Sequence, residues 1–231
     1  NGQDDKGHGD VFAANTPYLI ISQGSSGSDR VFLNAVAATL AAFRPEVKTE
    51  LARNGALMPT VQMIFRRSNK PVATPEDYLT GIAHPTVFDG GQLDAVAMVK
   101  MAHEITKDAL PPLVEIKVVE EDEPVSGQDC FDAGNGEKLF DTPCAVARVV
   151  RGVRYHRRMV VSAESSRDLG SRPLEYHWSV LQGDAERITI RPLNDEGSVV
   201  ELLIPYHQRA PISPGSPIES NRVDVGAGVM G

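Results

Sequence analysis

Basic residues are outnumbered in this chain. It has 23 lysines and arginines against 31 acids, for a formal charge of −8 and a pI near 5.3. A surface that neutralises phosphates needs the opposite balance, which argues against nucleic acid as a partner. Long apolar runs are also missing. The longest, near residues 35–43, is alanine-rich and interrupted by Thr39, far short of the roughly 18–20 residues a membrane helix needs. Tryptophan occurs once, at Trp178, and cysteine twice, at Cys130 and Cys144. Several short catalytic signatures are absent. His103-Glu104 lacks the second histidine of an HExxH pair, and there is no G-x-S-x-G elbow. The Gly/Ser-rich stretch at 23–29 lacks the lysine and hydroxyl of a phosphate loop, so Ser25, Ser26 and Ser28 read as a turn and a helix cap. The chain begins at Asn1 without a signal-peptide apolar region and ends just after the strand-like NRVDV, which suggests a processed or excised product.

Globular composition, 41% hydrophobic and 23% charged, allows a sizeable core. Residues 1–16 are polar and glycine-rich and read as a loose arm, and YLIIS at 18–22 reads as a short buried strand. From 29 to 43 the period is helical, with Phe32, Val36, Leu40 and Phe43 on one face. Pro45 opens a second helix over 45–53, closed by Asn54-Gly55. LMPTVQMIFRRS gives a short mixed segment whose basic end, Arg66-Arg67 with Lys70, reads as a solvated helix terminus. Thr74-Pro75-Glu76-Asp77 starts a brief helix, and 93–105 a longer one. Leu110-Pro111-Pro112 ends the helical part.

Beyond it the period falls to two. Val114, Ile116 and Val118 alternate with Glu115 and Lys117, and further strands are expected over 145–151, 158–163, 174–181, 187–191 and 198–206. This spacing with turn signals between is that of a β-sandwich. The stretch 160–184 reads as a hairpin about a Pro/Gly-rich turn. Leu174, Tyr176, Trp178 and Val180 lie on one face of its second strand, and Glu175, His177 and Ser179 on the other. After Tyr206, Pro211, Pro214 and Pro217 suit an extended tail.

SAESSRDLGSRPLEYHW resembles the start of polycystic-kidney-disease (PKD) repeats, an Ig-like β-sandwich family. The carrying residues are Ser165, Ser166, Asp168, Gly170, Pro173, Leu174, Tyr176, Trp178, Gly183 and Asp184. The usual Trp-Asp-Phe-Gly-Asp turn is replaced by Trp-Ser-Val-Leu-Gln-Gly-Asp, which is longer and lacks its aromatic. In fold terms the likeness covers 113–207, though its specific residues lie within 160–184. It implies an extracellular, periplasmic or cell-surface setting and a role as spacer, adhesion module or companion of a secreted hydrolase, although fold alone does not fix function.

Candidate chemistry is sparse. His84, Asp89 and His103, with Asp94, are the only such grouping in the helical part. Asp129, Asp132, Asn135 and Glu137 offer oxygen ligands for calcium without EF-hand spacing, and a solvated acidic loop is the default reading. Cys130 and Cys144 are expected to form a disulfide closing a 15-residue loop, worth about 3 kcal/mol and in keeping with an exported protein, the alternatives being two free thiols or a metal pair. The expectation is an α+β chain: a mainly helical region over 1–112, an Ig/PKD-like antiparallel β-sandwich over 113–207 and a Pro-rich tail over 208–231. Its expected role is an exported interaction or structural module with a protein or polysaccharide partner. No cofactor beyond calcium and no membrane-spanning segment are expected, and the oligomeric state is left open. The alternative is a fragment of a secreted hydrolase with its site at His84, Asp89 and His103.

Overall fold

The computed structural model describes residues 27, 29–85, 88–131, 136–212 and 215–230. Helix and strand contribute almost equally, 27% and 28%, and are segregated along the chain, which makes the fold mixed α+β. The chain divides into two compact units. One holds the described residues up to Leu113 together with Asp168–Arg172; the other holds Val114–Arg167 and the described residues from Pro173 onward. No helix among the described residues is long and apolar enough to cross a membrane. YLIIS at 18–22 and the serines at 25, 26 and 28 lie outside the described residues.

The helical unit contains α1 (Arg30–Ala42), α2 (Pro45–Arg53), α3 (Leu57–Arg67) and α4 (Ala95–Glu104). Helix α2 keeps the bounds its sequence signals set. Pro45 occupies the first turn, where its missing N–H costs nothing, and Gly55 takes φ +71 past the end. The mixed segment 57–67 is a full helix, because Pro59 falls in the first turn, where no intrahelical donor is lost. Asp94 caps α4 by accepting from the Ala97 N–H at 2.9 Å. The helix expected after Thr74 is one 3-10 turn, Glu76–Leu79, set by reciprocal bonds between Thr74 and Asp77.

Val47, Leu51, Val61, Ile64, Phe65, Met98 and Ala102 form the fully buried centre of this unit. Phe65 meets Phe88 edge-on at 4.5 Å between centroids. The basic end of α3 is divided between core and surface. Arg66 is buried, lies over the Phe88 ring and donates to the Ala83 carbonyl; Arg67 sits over Tyr78; and Lys70 donates to the Gly91 carbonyl. Arg67 and Lys70 are exposed, as a solvated terminus would have them, and the expectation is corrected for Arg66 alone.

Every pair of strands in the strand-rich unit is antiparallel. A four-stranded sheet runs β1 (Lys117–Glu121), β4 (His156–Ser162), β7 (Val199–Pro205), β6 (Thr189–Pro192). Three two-stranded ribbons accompany it: β2 (Lys138–Thr142) with β3 (Ala145–Arg148), β5 (Glu175–Gln182) with β10 (Asp224–Met230), and β8 (Ala210–Pro211) with β9 (Glu219–Ser220). Val161, Val200 and Leu202 are the buried centre of the sheet. Trp178 of β5 and Val225 of β10 pack against them, along with Ile116, Met159, Ile190 and Ile204.

Several expectations change here. The first strand starts three residues later than its alternation suggested, with the Ile116 N–H given to the Pro143 carbonyl instead. Strands β4 and β5 are not a hairpin: β4 pairs with β1 and β7, β5 with β10, and the linking segment lends Asp168–Arg172 to the helical unit. Within that link Ser171 takes φ +60, the one non-glycine residue in the left-handed region among those described. The stretch 208–231 is more than a tail, since it supplies β8, β9 and the partner strand of β5.

Candidate functional site

The three helical-unit candidates each serve a separate local purpose. The Nε2–H of His84 donates to the Tyr78 carbonyl at 2.8 Å, and the two rings lie 5.3 Å apart. Burial lowers the His84 pKa to about 4; the charge of Arg66 adds to this and the bond to Tyr78 opposes it. Asp89 caps a 3-10 turn by accepting from the Gly91 N–H at 2.8 Å. His103, exposed on α4, reaches the Ala42 carbonyl at 3.3 Å. Among the described residues no group of three His, Cys, Asp or Glu side chains could hold a metal ion.

The two calcium candidates among the described residues, Asp129 and Glu137, are occupied by protein. Asp132 and Asn135 lie outside the described residues. Buried Asp129 accepts from the Val125 N–H and from Arg154, each at 2.5 Å. Glu137 accepts through Oε1 from the Arg151 and Gly152 N–H groups and from Arg157 at 2.5 Å. Both carboxylates thus already have cationic partners. Cys130 and Cys144 are free thiols, the first buried and the second exposed. Cys130 sits in a turn closed by three N–H groups on the Val125 carbonyl. Cys144 sits in the β2–β3 turn, with Sγ 3.4 Å from the Thr142 hydroxyl.

Several other carboxylates of the strand-rich unit are neutralised by its own arginines. Arg148 grips Glu121 with two nitrogens at 2.7 and 3.0 Å and also reaches Asp141. Arg158 and Arg191 share Glu201, Arg167 pairs with Glu115, and Arg222 with Asp224. Hydrogen bonds from Arg148 to Glu121, and from Arg158 to Glu201, hold those carboxyls below the usual range.

Two of the exposed glutamates of this unit line one groove. Glu164, Leu174, Tyr176, Glu196 and Ser198 line a groove of about 350 Å³. Neither Glu164 nor Glu196 pairs with a basic side chain among the described residues. Glu164 accepts from the Ser162 hydroxyl at 2.9 Å, and Glu196 from the Asn194 amide at 3.4 Å. Three segments build the walls: the end of β4, the start of β5, and the β6–β7 turn. That turn is tied by Asn194, which donates to the Ser198 hydroxyl at 2.8 Å and accepts from the Val199 N–H. Gly197 takes φ +72 there, and the indole N–H of Trp178 donates to the Gly197 carbonyl at 2.8 Å. Trp178 is therefore both a packing residue and the clamp on the turn carrying Glu196 and Ser198. Two carboxylates beside a phenol ring suit a positively charged group, by Coulomb attraction and by the negative ring face.

Sequence inspection singled out Tyr176 and Trp178 but not Glu164 or Glu196. The Asn194–Gly197 turn carries a readable turn signature, but nothing local places it beside β5. Asp168 and Asp184 are turn residues. Asp168 accepts from the Gly170 and Arg172 N–H groups and pairs with Arg172, and Asp184 accepts from the Glu186 N–H. Comparison of the chain with protein-family models, curated proteins and solved structures found no match in any of the three.

Proposed function

We propose that the strand-rich unit is an Ig-like β-sandwich of the PKD type, part of an exported protein, and that it serves as an interaction module. Its groove receives a lysine or arginine side chain from a protein partner. The observation that carries the reading is the exposed pair Glu164 and Glu196, which share one groove with Tyr176 and have no basic partner among the described residues, in a unit whose less exposed carboxylates Glu121 and Glu137 are answered by its own arginines. The packing of Trp178 and Val225 against Val161, Val200 and Leu202 supports two facing layers, and the SAESSRDLGSRPLEYHW stretch supports the family likeness and the exported setting.

Titration with an oligolysine peptide, followed by Trp178 fluorescence, tests the groove. Saturable binding is expected, weakened at least about 10-fold in a Glu164→Gln/Glu196→Gln variant and unmatched by an oligoglutamate control. Equal binding by the variant refutes the site. Trp178→Ala tests the layered fold separately: loss of the strand-rich unit's cooperative unfolding is expected, and normal folding of this variant refutes the two-layer reading.

A further inference from the structure

Natural sheets protect their edges with charge, proline or bulges, because an open row of N–H and C=O groups pairs with any extended chain. The edge strands of the four-stranded sheet follow that rule. Strand β1 carries Lys117, Glu120 and Glu121 and a register break between Val118 and Glu120; β6 carries Arg191 and Pro192. Strand β10 does not follow it. It pairs with β5 alone, through Val225↔Val180, Ala227↔Trp178 and Val229↔Tyr176. From Val225 to Met230 it has neither charge nor proline, and its register break falls at its start, between Asp224 and Val225. No described residue hydrogen-bonds to the edge of Val225–Met230 that faces away from β5.

The sequence of that edge, Val225-Gly226-Ala227-Gly228-Val229, reads the same in both directions. Antiparallel pairing with a second copy, centred on Ala227, places Val225 opposite Val229, Gly226 opposite Gly228, and Ala227 opposite itself. Every cross-strand pair is then of matched size and none brings like charges together. A two-fold contact demands this kind of self-complementarity. Pleat parity is kept as well. Val225, Ala227 and Val229 lie on the face shared with Trp178 in both copies, so the two ribbons join as one four-stranded sheet without turning an apolar face outward.

We infer that β10 is a homodimer edge, pairing antiparallel with β10 of a second copy of this chain about a two-fold axis at Ala227. This pairing requires only the β5–β10 ribbon and does not depend on the groove. A contact of a few residues per chain is small for an interface, so the dimer is weak and concentration-dependent.

The test uses the full chain. Sedimentation equilibrium is expected to show the 25.0 kDa species converting to twice that mass as concentration rises. Ala227→Cys then places two thiols across the axis. Antiparallel partners have Cα atoms about 4.5 or 5.5 Å apart, and both spacings fall within disulfide reach. Mild oxidation of Ala227→Cys in a Cys144→Ser background is expected to give a covalent dimer at least about 10-fold faster than exposed Cys144 does in the unaltered chain. Ala227→Lys sets two ammonium groups face to face and is expected to abolish the dimer, with unchanged circular dichroism showing that the fold survives. A single 25.0 kDa species up to about 1 mM overturns the inference. So does cross-linking no faster than Cys144's own, or a dimer that persists in a folded Ala227→Lys chain. If Ala227→Lys unfolds, the cross-linking rate alone decides.

Discussion

Acid should weaken the helical unit through one histidine. His84 is held neutral by burial, with Arg66 adding to the effect, and its pKa is lowered from 6.5 to about 4. The unfolded chain therefore takes up a proton at a higher pH than the folded chain does. Linkage fixes the sign: the stability due to His84 is fully present above pH 6.5, falls as pH drops from 6.5 toward 4, and is gone below about 4. A displacement of that size corresponds to about 3 kcal/mol, a large share of what holds a small domain folded. Carboxylates such as Asp77, whose pKa is lowered by N–H groups of Thr74 and Ala73, also lose stability in acid, so the wild-type profile alone does not isolate the histidine. The comparison with His84→Gln does. Its amide keeps a donor for the Tyr78 carbonyl and takes up no proton. Urea unfolding followed by far-ultraviolet circular dichroism reads the helices, which among the described residues all lie in this unit, while Trp178 fluorescence reads the strand-rich unit. Between pH 6.5 and 4 the wild type should lose about 3 kcal/mol more than the variant, with no such difference in the tryptophan signal. Parallel profiles within about 0.5 kcal/mol would refute the burial argument.

Two further outcomes follow from the strand-rich unit. Glu137 and Arg157 form a nearly buried pair, 11% and 13% exposed, so Glu137→Ala strands a guanidinium and should cost about 3–5 kcal/mol in urea unfolding. The apolar double replacement Glu137→Met/Arg157→Met should recover most of that; if it costs as much as the single change, desolvated charge is not the cause. A thiol reagent should titrate two cysteines per unfolded chain and only Cys144 rapidly in the folded one, because Cys130 is buried. A count of zero under non-reducing conditions would show a bond in solution that the structure lacks.

The helical unit was the more legible of the two because its information is local. Pro45 and Asn54-Gly55 set both ends of α2 without reference to anything distant. LMPTVQMIFRRS read only as a mixed segment because α3 begins without a side-chain cap that would mark its start. Arg66 looked solvated because nothing in sequence announces that Phe88 and the Ala83 carbonyl return to meet it. The strands were found where alternation was strong, as in β7, where Val200 and Leu202 point inward. Strand β2 was lost in a loop because Lys138-Leu139-Phe140-Asp141-Thr142 has no alternation, its side chains being largely exposed.

Pairing was beyond reach of any local signal. Two strands flanking a Pro/Gly-rich turn ordinarily pair with each other, yet β4 and β5 have other partners, because the segment between them carries Asp168–Arg172 into the helical unit and Leu169 into its core. The same non-locality hid the groove. Trp178 was readable as a large apolar side chain on the inward face of a strand, and it packs that way. Its second task, donating to the Gly197 carbonyl, exists only once β7 has brought the 194–197 turn alongside β5. That bond links packing to the site. It fixes the turn that presents Glu196 and Ser198, and Tyr176 stands two residues earlier on the same face as the indole. One tryptophan thus couples the strand-rich unit's stability to the geometry of its unneutralised carboxylates. A substitution that keeps the ring but removes the N–H, Trp178→Phe, separates the two tasks, because the packing face remains while the turn loses its tether.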